Sequence, residues 1–178
     1  MHQKGAANHP IAKPFTIMYQ LLLLLFIVNA AIGLDAQSIS DSEFSWHRMD
    51  NCFLNRSTGE VFAKVEEDPI LLQYSVKEFS DFVEDIVLKL ELQEDGECTL
   101  KLKFLFELGR NLCLQEVGSK GVTLSQEQAR KLSSQFNSIG NIEYGRQRSE
   151  SVSCQAILYV SILKGGMKSI RTVNFQLK

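Results

Sequence analysis

Histidine is scarce in this chain. Of three in 178 residues, His47 alone follows the amino-terminal stretch, beside Trp46 in a segment without clear periodicity. A nucleophile, a base and an orienting group need several such side chains brought together, so a single imidazole reads as a packing or surface residue. The sequence also lacks G-x-S-x-G, H-E-x-x-H, P-loop and dinucleotide-binding motifs. Cys52, Cys98, Cys113 and Cys154 follow no tight zinc-binding spacing. Around Asp81, Glu84 and Asp85 there is no turning glycine of the kind a calcium loop needs. Carboxylates are plentiful, but nothing singles out a pair for glycan cleavage. These absences argue for a protein without catalysis, metal or cofactor.

What is present points to export. The uncharged stretch Phe15 to Leu34 centres on an apolar run from Leu21 to Val28, with Lys4 and Lys13 before it and Ala31-Ile32-Gly33 and Leu34-Asp35-Ala36 at its exit. A basic start, an apolar centre and small exit residues make a signal peptide over residues 1–36, with cleavage after Gly33 or Ala36. The competing reading is a type II membrane anchor, because the uncharged stretch approaches the roughly 20 residues that cross a bilayer. Thr16, Gln20 and Asn29 shorten its strongly apolar part and favour the signal.

The remaining 37–178 segment has the length of one extracellular domain. It contains all four cysteines, and Asn55-Arg56-Ser57 is an N-glycosylation acceptor beside an exposed Ser57-Thr58-Gly59 turn. The expectation is a secreted, disulfide-bonded glycoprotein.

The fold reads as α+β: an antiparallel-rich sheet of two hairpins, packed by one short helix and one longer one. Ser75-x-x-Glu78 is a capping box for a short helix through Val76, Phe79, Phe82, Val83 and Ile86. Alternation over Ile86 to Leu92 and Cys98 to Phe106 predicts the first hairpin, with a three-residue loop and Gly96 in the left-handed position. A second capping box, Ser125-x-x-Gln128, opens a helix to Ile139, with Ala129, Leu132, Phe136 and Ile139 as its stripe and Gly140 ending it. Strands 154–163 and 167–177 form the second hairpin around Gly165-Gly166, setting Leu158 opposite Val173. Residues 42–48, 51–58 and 141–151 show no period. If the 125–139 helix returns the chain along the sheet, strand 154–163 lies parallel to strand 98–106. That placement favours Cys98–Cys154 with Cys52–Cys113, whereas an antiparallel one favours Cys113–Cys154.

Charge is segregated along the chain. Residues 35–97 hold sixteen Asp or Glu against five Lys or Arg, and residues 98–178 hold five against twelve. Either the two parts offset each other inside the fold, or the basic residues gather on a surface that meets an acidic partner. Lys101 and Lys103 point the same way from one strand, and Arg146 and Arg148 are placed to join them. The partners this implies are an extracellular protein receptor or an anionic glycan. Nucleic acid is not expected for an exported, net negative chain, and a membrane is a partner only if the signal stays uncleaved. A carrier of an apolar ligand is the alternative, suggested by Phe79, Phe82, Phe104, Phe106, Phe136 and Phe175. No family is assigned: an early tryptophan is a lipocalin feature, but the glycine which that family requires two residues before it is here Phe44.

Overall fold

The computed structural model describes residues 40–49, 60–93 and 96–178. The signal segment, Cys52, Asn55 and the 94–95 turn lie outside them. Asp41–Lys178 forms one compact unit. Among the described residues no helix is long and apolar enough to cross a membrane.

The architecture is α+β, two helices on a sheet-rich core. Strands β1 (Ser45–Arg48), β2 (Val61–Phe62) and β3 (Ile70–Leu71) precede helix α1 (Val76–Lys89). The long hairpin of β4 (Glu97–Phe106) and β5 (Leu112–Lys120) follows, then helix α2 (Gln126–Phe136). Three two-residue strands, β6 (Ile142–Glu143), β7 (Arg146–Gln147) and β8 (Glu150–Ser151), lead to β9 (Ser153–Leu163), β10 (Gly166–Val173) and β11 (Gln176–Leu177). The main sheet has the order β1-β5-β4-β9-β10, with β2 also paired to β9. A second sheet joins β11, β3 and β6, and β7 with β8 makes a separate ribbon.

Both helices start at their capping boxes, each with reciprocal side-chain and backbone bonds in place. Helix α1 runs further than expected. Phe79, Val83, Ile86, Val87 and Leu90 are all buried at helical spacing, while Leu88, inward under the strand reading, is 57% exposed. The helical period therefore absorbs the alternation of 86–92. Glu91, with φ 49°, ends the helix in the left-handed conformation usually given to glycine. Helix α2 stops at Phe136 with Asn137 as its cap, yet Ile139 still completes the buried stripe.

With the expected 86–92 strand taken up largely by helix α1, β4 pairs with β5 instead, through Leu102↔Val117 and Lys101↔Gly118. A bulge interrupts the ladder: Lys103 faces Glu116, Phe104 faces Leu114, and Gln115 is left over. The carbonyl of Gln115 accepts from the Met49 N–H at 2.8 Å, and the Leu114 N–H donates to Asn137 Oδ1 at 2.7 Å, so the bulge is satisfied from β1 and α2.

Strand β9 is antiparallel to β4, not parallel. Because β5 adds one reversal, α2 returns the chain to the far end of β4. Cys154 then faces Phe106, and Cys98 faces Ile162 at the other end of the ladder. Eight residues of strand separate them, roughly 25 Å, far beyond the reach of a disulfide. Cys113 lies opposite Leu105, one strand away from the Cys154 pairing and on the other face of the sheet. None of the described cysteines is joined to another, so a framework of two bridges is not supported.

The last hairpin turns at Lys164 and Gly165, with φ of 53° and 75°. These fit a type I′ turn one residue earlier than expected. A bulge between Met167 and Ser169 shifts the register again, so Leu158 faces Thr172. Phe175 leaves the sheet but is buried against Phe79, Phe104 and Phe106.

One face of the sheet supplies the core. Leu100, Leu102, Phe104, Phe106, Leu114, Val117, Leu158, Val160 and Ile162 pack with Phe79, Val83, Ile86, Leu132 and Phe136 from the helices. Phe104 and Phe136 meet at 5.1 Å between ring centroids, and Phe82 and Phe136 at 5.7 Å. Each such side chain contributes about 1.5–3 kcal/mol by leaving water.

Candidate functional site

The helices cover one face of the sheet, and the alternate residues of the same strands build the other. Register places Trp46, Gly118, Lys101, Tyr159 and Arg171 in one row across β1, β5, β4, β9 and β10. The next row is Arg48, Glu116, Lys103, Ile157 and Val173. Gly118 is needed where it stands: a Cβ there would lie 2.9 Å from two indole carbons, so Trp46 lies flat across the backbone of β5 only because residue 118 has no side chain.

Lysines converge on that indole. The Lys103 ammonium sits 4.1 Å from its ring centroid. Lys101, 5% exposed, has the rings of Phe44, Trp46 and Tyr159 at 5.9, 5.9 and 5.2 Å. At the far end Arg171 stacks on Tyr159 at 4.4 Å. Such contacts contribute most where water is excluded.

The counter-charge comes from the 3-10 turn Asp41–Glu43. Asp41 pairs with Lys101 at 2.5 Å and Lys103 at 3.1 Å, and Glu43 pairs with Lys120. The Trp46 indole N–H donates to the Asp41 carbonyl at 3.0 Å. The Lys101 hydrogen bond holds the Asp41 carboxyl below the ordinary carboxylate range, although partial desolvation opposes it. Burial pushes Lys101 down, but hydrogen bonds to Asp41 and Tyr159 outweigh it and leave the ammonium above the usual lysine range.

Lys101 and Lys103 thus share one outer face, as their alternation implies, but both are engaged within the molecule. Lys103 also pairs with Glu116 at 3.2 Å. Arg146 and Arg148 do not join them: they belong to the β7–β8 ribbon, where Arg146 pairs with Glu67 at 3.8 Å and the Arg148 N–H donates to Glu66 at 2.9 Å. An open cleft of about 510 Å³ beside that ribbon is lined by Glu60, Phe62, Gln147, Arg148, Glu150 and Val152, charges of both signs with no nucleophile. Trp46, Tyr159, Arg171 and Gly118 were not picked out as site residues from the sequence. For Tyr159 the alternation along β9 was the available signal.

His47 holds structure together. One ring nitrogen lies 2.9 Å from the Leu124 carbonyl and the other 3.1 Å from Gln126 Oε1, tying β1 to the start of α2. The Cys154 thiol is pushed up to about 11 by burial, so it stays protonated and unreactive near neutrality. Among the described residues no three His, Cys, Asp or Glu side chains are grouped to hold a metal ion.

No family model, curated protein or solved structure matches this chain. What it can do is therefore a matter of its own side chains.

Proposed function

We propose that this chain is an exported glycoprotein that binds an anionic partner, an extracellular protein receptor or an anionic glycan, without catalysis. The observation that carries the reading is the outer face of the sheet, where Trp46, Lys101, Lys103, Tyr159 and Arg171 lie together opposite the helix-covered face. Aromatic surface interleaved with cations suits anions that also present apolar or planar groups. Export is supported by the apolar run behind Lys4 and Lys13 and by the Asn55 acceptor. With Cys98 and Cys154 held apart, a single bridge, Cys52–Cys113, is the pairing we assign. The phenylalanines that would line a carrier's cavity instead contact one another.

Because Lys101 is buried, charge reversal there would test folding rather than binding. The secreted protein should be retained on immobilised heparin or on cells in a salt-sensitive manner. Lys103→Gln with Arg171→Glu should abolish retention, and Arg146→Glu with Arg148→Glu should leave it unchanged. The reverse pattern, or retention indifferent to salt, would remove the outer face from the function.

A further inference from the structure

The turn Asp41–Glu43 is attached to the sheet in an unusual way. It buries none of its own residues, and Asp41 and Glu43 keep about half of their side-chain surface exposed, 55% and 49%. Yet three lysines from two strands, Lys101 and Lys103 of β4 and Lys120 of β5, pair with its two carboxylates, Lys103 sharing its charge with Glu116. The sheet side of this contact is the built side. Lys101 is nearly sealed beneath the turn among three aromatic rings, and a sealed ammonium requires a carboxylate partner.

We propose that this face is a binding site for an acidic peptide of a partner protein, and that Asp41-Ser42-Glu43 occupies it as an internal stand-in until that peptide displaces it. The proposal rests on the anionic-partner reading above and narrows the partner. Two details select a peptide over a sulfated glycan. Carboxylates two residues apart reach different lysines, Asp41 those of β4 and Glu43 that of β5. The indole N–H of Trp46 also reads a main-chain carbonyl of the occupant. A partner segment of the form Asp-x-Glu reproduces both contacts. With Asp41 and Glu43 lifted away, Arg48, Lys101, Lys103, Lys120 and Arg171 face it with Glu116 as the acidic neighbour in their rows.

A tethered occupant lowers the apparent affinity of an outside ligand by the fraction of molecules whose site is open. Neutralising the tether should raise that fraction. The probe is a capped peptide of the Ser40–Ser45 sequence, and the readout is the fluorescence of Trp46, the one tryptophan in the chain. Asp41→Asn with Glu43→Gln should bind the peptide at least about tenfold more tightly than wild type, which corresponds to an open fraction of about one-tenth or less in wild type. Glu43→Gln alone leaves Lys101 its partner and cannot be confused with misfolding; it should tighten binding by a smaller factor. The same peptide with Asn and Gln in place of its acids should not bind.

Equal affinity of wild type and both variants would overturn the stand-in. A site opened in the variants that takes a heparin oligosaccharide but not the peptide would overturn the peptide as ligand while sparing the anionic-partner reading. Loss of heparin and cell retention by Lys103→Gln with Arg171→Glu is scored separately and decides that earlier reading by itself.

Discussion

The two faces of the main sheet are made by alternate residues of the same strands, and they are held by different physics. Toward the helices, Leu100, Leu102, Phe104 and Phe106 are almost fully buried among other apolar side chains. Toward the outside, Lys101 is just as hidden, but beneath Asp41 and three rings. On the first face any well-packed apolar shape will do, so stability follows volume. On the second, each group depends on a few particular partners. A face of that kind adds little to folding.

The largest effect should come from the first face. Phe136→Ala removes the ring that Phe82 and Phe104 touch, and should cost about 3–5 kcal/mol in urea unfolding. A loss below about 1 kcal/mol would mean that the interior is not packed around that ring.

On the outer face the strongest constraint is steric. Gly118→Val forces a side chain into the space of the indole and should cost about 1–3 kcal/mol, with a red shift in Trp46 emission as the ring is displaced. Unchanged fluorescence would show that Trp46 does not lie across β5.

The smallest effect is electrostatic. Because the Asp41 carboxyl titrates below its ordinary value in the folded chain, its contribution is present above about pH 4 and is lost as pH falls through the folded value. The stability difference between wild type and Asp41→Asn should therefore favour wild type at pH 6 and shrink as pH falls below the ordinary carboxylate range. It should be modest, since Asp41 is half exposed and screened by solvent. A gap that persists into acid would mean that Asp41 acts through packing rather than charge.

The sequence announced what was local. Both capping boxes could be read because a serine and its partner three residues on are the whole motif. Strand β4 could be read from alternation. Strand β5 could not: Gly118 empties one outward position and the leftover Gln115 shifts the alternation by one. That omission reversed the expected direction of β9 and, with it, the expected pairing of Cys98 and Cys154. Strand β1 is four residues, Ser-Trp-His-Arg, too short and too polar to show a period. The two lysines were placed on the right face, but Asp41 stands about sixty positions before them, and no local pattern links them. Part of the charge split is offset inside the fold: Asp41–Lys101, Glu43–Lys120, Glu67–Arg146 and Glu97–Lys168 each join the acidic stretch to the basic one.

The order of strands also sets the order in which the protein must assemble. The β4–β5 and β9–β10 hairpins close over short connections and form within about 1–10 μs in isolation. Joining β4 to β9 brings together segments with β5, α2 and three small strands between them, and β1 reaches the sheet only through β5. Closing that long loop costs entropy before any contact repays it, so the docking of the two hairpins is the slow event. Until it happens, the apolar side chains of β4 and β9 and their unpaired edges stay open to other chains. Dilution and chaperones that mask strand edges should therefore raise the folding yield of this protein more than any added stability of its helices.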